Sequence, residues 1–300
     1  MAAKFRRLKI GAALFVGLSL AIVFLVPPPV APATVCEVGS GDTPLSIQDT
    51  SLVPQALYDE AYELAVELFG NSQQKCQEFT SQLLGMYLEA KYKDVVIINN
   101  SGGWGWSSIL DFPHGLDFIV GVEAELTRLG YSTDSTLWLN FYRTDKTFNG
   151  CLSELMLAMG LYPLKANDLA SRVDFLTRHI PGIRVIIAGE SNGCTICNTA
   201  LHILRNNTQV YGIQLGPPSW NNNASAERSL VLRSNGIIPD SFSQGNIFTI
   251  VRANLEALFG ISQDHQEKIL LYIGAPGHDY PWQDGVDTQI TQFLNKYFAN

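Results

Sequence analysis

The sequence is poor in charge, and in basic residues above all. Only 16% of its 300 residues are charged, and 20 Lys and Arg stand against 28 Asp and Glu, which gives a formal net charge of −8. Such a chain lacks the basic face that displaces counterions from phosphates, which argues against nucleic-acid binding. It also lacks a G-x-x-x-x-G-K-[ST] phosphate loop, a repeat of fixed period and any Cys/His cluster with metal-ligand spacing. We therefore predict no nucleotide loop, no repeat architecture, no metal and no cofactor.

The N-terminus holds the longest uncharged apolar run, residues 10–26, and after it no Lys or Arg follows until Lys75. Four basic residues precede the run: Lys4, Arg6, Arg7 and Lys9. Its length is close to the minimum for a bilayer span. The run fits an uncleaved anchor, a secretory signal cleaved near residues 31–33, or a buried helix. Since cations stay on the cytoplasmic side, the first two readings place the rest of the chain outside the cytoplasm. The protein is then either membrane-anchored with an extracytoplasmic catalytic part, or secreted or periplasmic.

Hydropathy patterning predicts an α/β fold after this segment. Residues 34–92 are a linker followed by a helical extension, with apolar residues at helical spacing over 54–92. From residue 93 to 300, apolar strands alternate with amphipathic helices, which indicates a mostly parallel central sheet with helices on both faces. Strands are predicted at 95–98, 136–141, 184–188, 210–215, 247–251 and 269–273. Helices are predicted at 116–129, 164–179, 195–204 and 286–297. Two segments, 144–164 and 215–246, are candidate lid insertions.

Ser191 lies in a G-x-S-x-G pentapeptide, Gly189-Glu190-Ser191-Asn192-Gly193. The strand predicted at 184–188 precedes it and a helical stretch follows, so the serine stands on a strand-to-helix turn, where it is presented as a nucleophile. The alternative interpretation is a serine that only caps the helix.

His278 is the matching candidate for a general base. It follows the last predicted strand and precedes the final helix. Among the five histidines, it alone lies at the carboxyl end of a predicted strand downstream of Ser191. Active sites of parallel sheets lie at that edge, so the two side chains are expected to meet there.

These motifs make the chain resemble the α/β-hydrolase superfamily from about Val95 to the C-terminus, and no particular member is recognised. The resemblance covers the strand order, the elbow, the histidine loop and the closing helix. It implies a triad in the chain order serine, acid, histidine. The N-terminal 90 residues lie outside it.

The acid of the triad is the least clear assignment. The superfamily places it just after the penultimate strand, which is predicted here at 247–251, and no aspartate follows that strand directly. We predict Glu256, which lies 22 residues before His278 (278 − 256). Asp240 and Asp264 are the alternatives.

An oxyanion hole is predicted from Gly102, Gly103 and the backbone of Asn192. The two glycines occur in "NNSGGWGW" after an early strand and resemble the HGG-type loops of esterases, although an ordinary glycine turn is the alternative. Trp104 and Trp106 follow and are candidates for the substrate pocket, or for a buried core patch.

Five cysteines permit at most two disulfides in an oxidising compartment. Cys194 and Cys197 form a C-x-x-C, but they share one face of a predicted helix with Leu201 and Leu204. This favours buried, inert thiols over a redox motif.

Taken together, these features predict a serine hydrolase acting on an ester, of the esterase or lipase kind, through an acyl-enzyme intermediate. A small-molecule or lipid-like ester is the expected partner, with membrane contact through the N-terminal segment. The alternatives are a non-catalytic binding domain on the same fold, a peptidase or thioesterase using the same triad, and a thiol-redox protein.

Overall fold

A computed structural model describes residues 36–38, 52–103, 105, 107–111, 114–143, 164–221, 227–258 and 275–299, with the backbone alone for 36–38 and 254–258. The apolar run at 10–26, the predicted strand at 269–273 and the candidate lid at 144–163 lie outside these ranges. No helix within them combines the length and the apolar character that a membrane crossing requires.

Six strands form one sheet in the order β1-β3-β2-β4-β5-β6. The strands are β1 (Cys36–Val38), β2 (Val95–Asn100), β3 (Thr136–Phe141), β4 (Arg184–Glu190), β5 (Val210–Leu215) and β6 (Ser229–Leu232). The last five strands are parallel and β1 pairs antiparallel with β3. The predicted mostly parallel sheet is confirmed.

Seven α-helices lie in the described part of the chain. They are α1 (Gln55–Phe69), α2 (Gln73–Ala90), α3 (Gly115–Arg128), α4 (Leu164–His179), α5 (Gly193–Ile203), α6 (Ile247–Leu258) and α7 (Val286–Phe298). The sequence predicted all of these except α6.

Helices cover both faces of the sheet because its central strands are apolar on both sides. On β2, Val96 and Ile98 pack with α2, α4 and α5, whereas Val95 and Ile97 pack with α3 and α7. All four side chains are essentially inaccessible to solvent. This two-sided burial is typical of parallel sheets, whose crossover helices lie on both faces.

The N-terminal helix α2 packs on α4 through a buried charge. Arg172 on α4 bonds Asp168 at 2.6 Å and Gln82 of α2 at 3.0 Å, and its guanidinium lies 4.5 Å from the centre of the Phe79 ring. A buried cation is tolerated only with such partners. The helical extension is therefore fixed to the body that carries the sheet.

Two predictions of secondary structure are wrong. Residues 247–251 begin helix α6 and are not a strand, and the sheet instead gains β6 inside the segment 215–246 that was predicted as a lid. β6 pairs in parallel with β5, from Gly212 opposite Ser229 to Leu215 opposite Leu232. The β-branched composition of 247–251 suggested a strand, but the edge of β5 is already occupied by β6. Part of the predicted linker also differs, since Cys36–Val38 forms β1.

Candidate active site

Ser191 lies on a sharp turn between β4, which ends at Glu190, and α5, which begins at Gly193. Its φ angle is +51°, a left-handed conformation that is unusual for a non-glycine residue. The Ser191 N–H donates to the Leu215 carbonyl at the end of β5, at 2.8 Å. Asn192, and not Ser191, holds the N-cap position of α5. The structure thus agrees with a nucleophile elbow and not with a simple helix cap.

Both glycines of the pentapeptide are required by close contacts. A β-carbon at Gly189 would lie 2.5 Å from the Cys197 sulfur, and one at Gly193 would lie 2.1 Å from the Asn100 carbonyl oxygen. No side chain fits at either position without moving the backbone of β2 or the core of α5. The turn therefore requires glycine at both positions, because any larger side chain would clash there.

His278 lies at the same edge of the sheet and pairs with Asp240. The His278 Nδ1 is 2.8 Å from Asp240 Oδ2. The imidazole lies close to Gly216, where a β-carbon would be 2.6 Å from His278 Cε1. Gly216 directly follows Leu215, whose carbonyl holds the Ser191 N–H. The carboxyl ends of β4 and β5 therefore bring Ser191 and the His278–Asp240 pair to one place.

The structure places Asp240, one of the two alternatives to the predicted Glu256, against Nδ1 of His278. Glu256 lies on α6, where only the backbone is described, and Asp264 lies outside the described residues. The sequence analysis favoured Glu256 because it placed the late strand at 247–251, whereas Asp240 follows the true strand β6 and precedes α6.

A dense set of donors holds Asp240, whose side chain is fully buried. Its Oδ1 accepts the backbone N–H groups of Phe242 and Ser243 at 2.8 and 3.2 Å. Its Oδ2 accepts the Tyr280 hydroxyl at 2.7 Å and the Ser243 hydroxyl at 2.9 Å, in addition to the bond with His278. Burial pushes the pKa of Asp240 upward, but the hydrogen bonds from His278, Tyr280 and Ser243 outweigh it and lower the pKa below its ordinary value. Asp240 is therefore an ionised carboxylate, suited to orient an imidazole.

Aromatic rings fix the orientation of the imidazole. Phe242 meets His278 edge-on with the ring centres 4.9 Å apart, and Tyr280 does so at 6.2 Å. Trp220 packs in turn against Phe242 at 5.5 Å. The His278 side chain keeps 18% of its surface exposed, so the base is accessible but not free to swing.

The glycine loop after β2 lies beside Ser191. A β-carbon at Gly102 would be 3.1 Å from Ser191 Cβ, and Gly103 has a φ of +56°. The Asn192 side-chain amide donates to the Gly103 carbonyl at 3.4 Å. The backbone N–H of Asn192 makes no hydrogen bond to any described residue. The three residues predicted for an oxyanion hole are thus brought together, while Trp104 and Trp106 lie outside the described residues.

Arg143 is a site residue that the sequence analysis missed. It follows the carboxyl end of β3, is only 2% exposed, and its guanidinium donates to the carbonyls of Ser101 and Gly103. Its N–H donates to the Gly105 carbonyl at 2.7 Å. This buried guanidinium therefore stabilises the conformation of the glycine loop. The available signal was a lone arginine directly after an apolar strand.

Glu190, the residue before the nucleophile, was also missed. It is half-buried, and its carboxylate has no hydrogen-bond or ion-pair partner among the described residues. Desolvation raises the pKa of Glu190 to about 7, although nearby His278 opposes the shift. A carboxyl that titrates near neutrality therefore lies beside the candidate nucleophile.

Cys194 and Cys197 are free, fully buried thiols, as expected. Their sulfurs lie 3.2 Å from the Gly189 carbonyl and 3.3 Å from the Ala188 carbonyl, respectively. Burial raises the pKa of Cys197 to about 12, and that of Cys194 also lies well above its usual range. Since the thiolate is the reactive form, these cysteines are unsuited to redox exchange. Across the described residues, no three His, Cys, Asp or Glu side chains group as metal ligands.

The parallel sheet, the strained strand–turn–helix serine and the histidine loop define an α/β-hydrolase-like fold. No family model and no curated protein matches the sequence. Among solved structures, the chain is similar to a Trichoderma reesei cutinase in complex with a C11Y4 phosphonate inhibitor. That match has 13% identity and a TM-score of 0.41, and it covers 84% of this chain and 95% of the cutinase chain.

Proposed function

We propose that the protein is a serine hydrolase that cleaves carboxylic esters through an acyl-enzyme. The observation that carries this proposal is the 2.8 Å bond between buried Asp240 and His278 at the sheet edge that also presents Ser191. A strained serine, an ionised carboxylate and an imidazole, in that chain order, match the triad of this fold.

Each residue has a role in the proposed mechanism. Ser191 Oγ attacks the ester carbonyl while His278 Nε2 accepts its proton and later returns it to the leaving alcohol. Asp240 accepts the Nδ1–H, which leaves Nε2 free as the base. The backbone N–H groups of Gly103 and Asn192 stabilise the oxyanion that develops on the carbonyl oxygen. Water then repeats the sequence on the acyl-enzyme.

The competing functions rest on weaker grounds. A non-catalytic binding domain is favoured by a missing acid, whereas the bond between Asp240 and His278 supports a complete triad. A redox role is disfavoured by the raised pKa values of Cys194 and Cys197. An ester is favoured over a peptide because apolar rings lie next to the base: Phe242 packs on His278, and Trp220, 39% exposed, packs on Phe242.

A fluorophosphonate probe tests the proposal directly. The full-length protein should be labelled at Ser191, and both Ser191→Ala and His278→Ala should abolish labelling while circular dichroism shows an unchanged fold. Ser132→Ala, which removes an exposed serine before β3, should label like the parent. A well-folded parent that never reacts would instead support a binding domain.

We also propose that residues 10–26 hold the catalytic part outside the cytoplasm, because four cations precede that run and no Lys or Arg follows it until Lys75. Protease added to intact spheroplasts should digest the catalytic part and spare a cytoplasmic marker. Protection of both would disprove this topology.

A further inference from the structure

The direction of β1 decides from which side the N-terminal segment reaches the domain. Cys36 pairs with Phe141, the last residue of β3, and Val38 pairs with Leu139. The chain therefore enters β1 at the carboxyl edge of the parallel sheet. Ser191 and the His278–Asp240 pair lie at that same edge.

The connection from the apolar run to β1 is short. Nine residues, 27–35, separate the run from Cys36, and four of them are proline. A fully extended chain of this length spans at most about 35 Å. A domain of this size has a diameter of about 45 Å. If the run lies in a bilayer, the edge that receives the connection is therefore held towards that bilayer.

Apolar side chains are exposed at this edge. At the start of α6, which follows the Asp240 turn, Ile247, Phe248 and Val251 are 41%, 89% and 49% exposed. Leu110 and Leu116, in the segment that follows β2, are 45% and 60% exposed. Exposed apolar side chains of this number are candidates for a surface that binds an apolar partner.

Aromatic contacts link this surface to the triad. Trp220, itself 39% exposed, packs on Phe242, and Phe242 packs on the His278 ring. The apolar surface thus continues to the base. This apolar surface suits an acyl chain as its partner, and the net charge of −8 disfavours a polyanionic partner.

We propose that the carboxyl edge of the sheet docks on the bilayer that holds residues 10–26, so that the site takes ester lipids from that bilayer. The substrate class rests on the proposed function, whereas the docking does not. Phe248 is the deepest-inserted side chain, flanked by Ile247 and Val251.

Lipid quenching of single added tryptophans tests the docking without any turnover. The full-length Phe248→Trp variant is reconstituted into phosphatidylcholine vesicles with or without brominated phosphatidylcholine. Its fluorescence, after subtraction of the parent, should fall roughly twofold with the brominated lipid, as expected for a side chain seated at the acyl boundary. Tyr92→Trp is the matched control, because Tyr92 is 82% exposed and precedes β2 at the opposite edge. Its added fluorescence should be unchanged by bromine and quenched by aqueous iodide.

Equal quenching of both variants, or of neither, would overturn the proposal. Shielding of Phe248→Trp from both bromine and iodide would assign the surface to another segment of this chain or to a second copy. A mature protein whose mass lacks residues 1–33 would also overturn it, because the connection would be gone.

A second variant separates the docking from the chemistry. Phe248→Ser should hydrolyse a water-soluble ester like the parent but cleave a bilayer-embedded ester roughly tenfold more slowly, since the phenyl ring proposed to insert into the bilayer is lost. Hydrolysis of neither ester by the parent, with quenching intact, would refute the proposed function and leave the docking standing.

Discussion

The two halves of the candidate site are built in different ways. The nucleophile half is five consecutive residues, 189–193, between a strand and a helix. The acid–base half joins Asp240 to His278 across 38 residues of chain. The first depends on close backbone contacts that only glycine permits, and the second depends on a buried network of hydrogen bonds.

This contrast explains why the nucleophile half can be predicted from the sequence and the acid–base half cannot. Gly189 is required by a close contact with Cys197 in the helix that follows the turn, and Gly193 by one with Asn100 on the adjacent strand β2. Asp240 acquires its role only from groups brought to it by the fold, including Tyr280 and Ser243. The four predictions that follow test each half separately.

Removing the carboxylate should have the largest effect. Asp240→Asn should lower kcat by a factor on the order of 10⁴, because an amide no longer holds the imidazole in the correct tautomer. Glu256→Gln and Asp279→Asn should keep ester hydrolysis near the parent rate, the latter because Asp279 bonds Asn235 and not the imidazole. Steady-state kinetics on a soluble ester give the comparison. Near-parent activity in Asp240→Asn, with loss in Glu256→Gln, would reinstate Glu256.

A side chain added at the turn 189–193 should lower the stability of the fold more than the rate of the reaction. Gly193→Ala places a methyl group 2.1 Å from the Asn100 carbonyl, so we expect a loss of about 3 kcal/mol or more in the free energy of unfolding. Gly182→Ala is the control without a close contact, since Gly182 faces open space, and its positive φ should cost only about 1 kcal/mol. Urea unfolding measures both. Equal losses would mean that the close contact with Asn100 does not require glycine at 193.

Glu190 should make stability depend on pH near neutrality. Its folded-state pKa of about 7 lies above the ordinary value of 4.5, so the folded protein binds the extra proton and stability falls as pH rises from about 4.5 through 7. Glu190→Gln removes this dependence and should be more stable than the parent at pH 8, by on the order of 1 to 3 kcal/mol, and similar to it at pH 4.5. The exposed Glu63→Gln should track the parent at both pH values. Parallel pH curves for parent and Glu190→Gln would contradict the burial of this carboxyl.

Removing one donor from the acid should have the smallest effect. Tyr280→Phe deletes the 2.7 Å bond to Asp240, which should lower kcat roughly tenfold or less and cost about 1 to 2 kcal/mol of stability at pH 7. Because Asp240 has a lowered pKa, the stability from its donors is present above the ordinary aspartate pKa and is lost as pH falls through the folded value. The stability difference between variant and parent should therefore shrink in acid. A stability difference between variant and parent that is unchanged at low pH would show that packing of the Tyr280 ring, and not the hydrogen bond, causes it.

The sequence predicted the parallel sheet and most helices because their apolar periodicity is strong and local. It failed at 247–251, where Ile, Thr and Val suggested a strand, because occupation of the β5 edge by β6 is a tertiary fact. That single error moved the expected acid from Asp240 to Glu256. Asp240, which bonds His278, follows the strand Ser229–Leu232, and this position agrees with an acid after a late strand. The sequence analysis missed Arg143 and Glu190 because both matter through their burial in the fold, which no short motif predicts.

The thiols beneath the elbow have a practical consequence. Cys194 and Cys197 are closed off from solvent directly under the turn that carries Ser191. An alkylating reagent can reach them only when the turn and α5 open, so the rate of modification reports local opening. The protein thus carries its own reporter of local opening at the candidate site, readable by mass spectrometry without any introduced label.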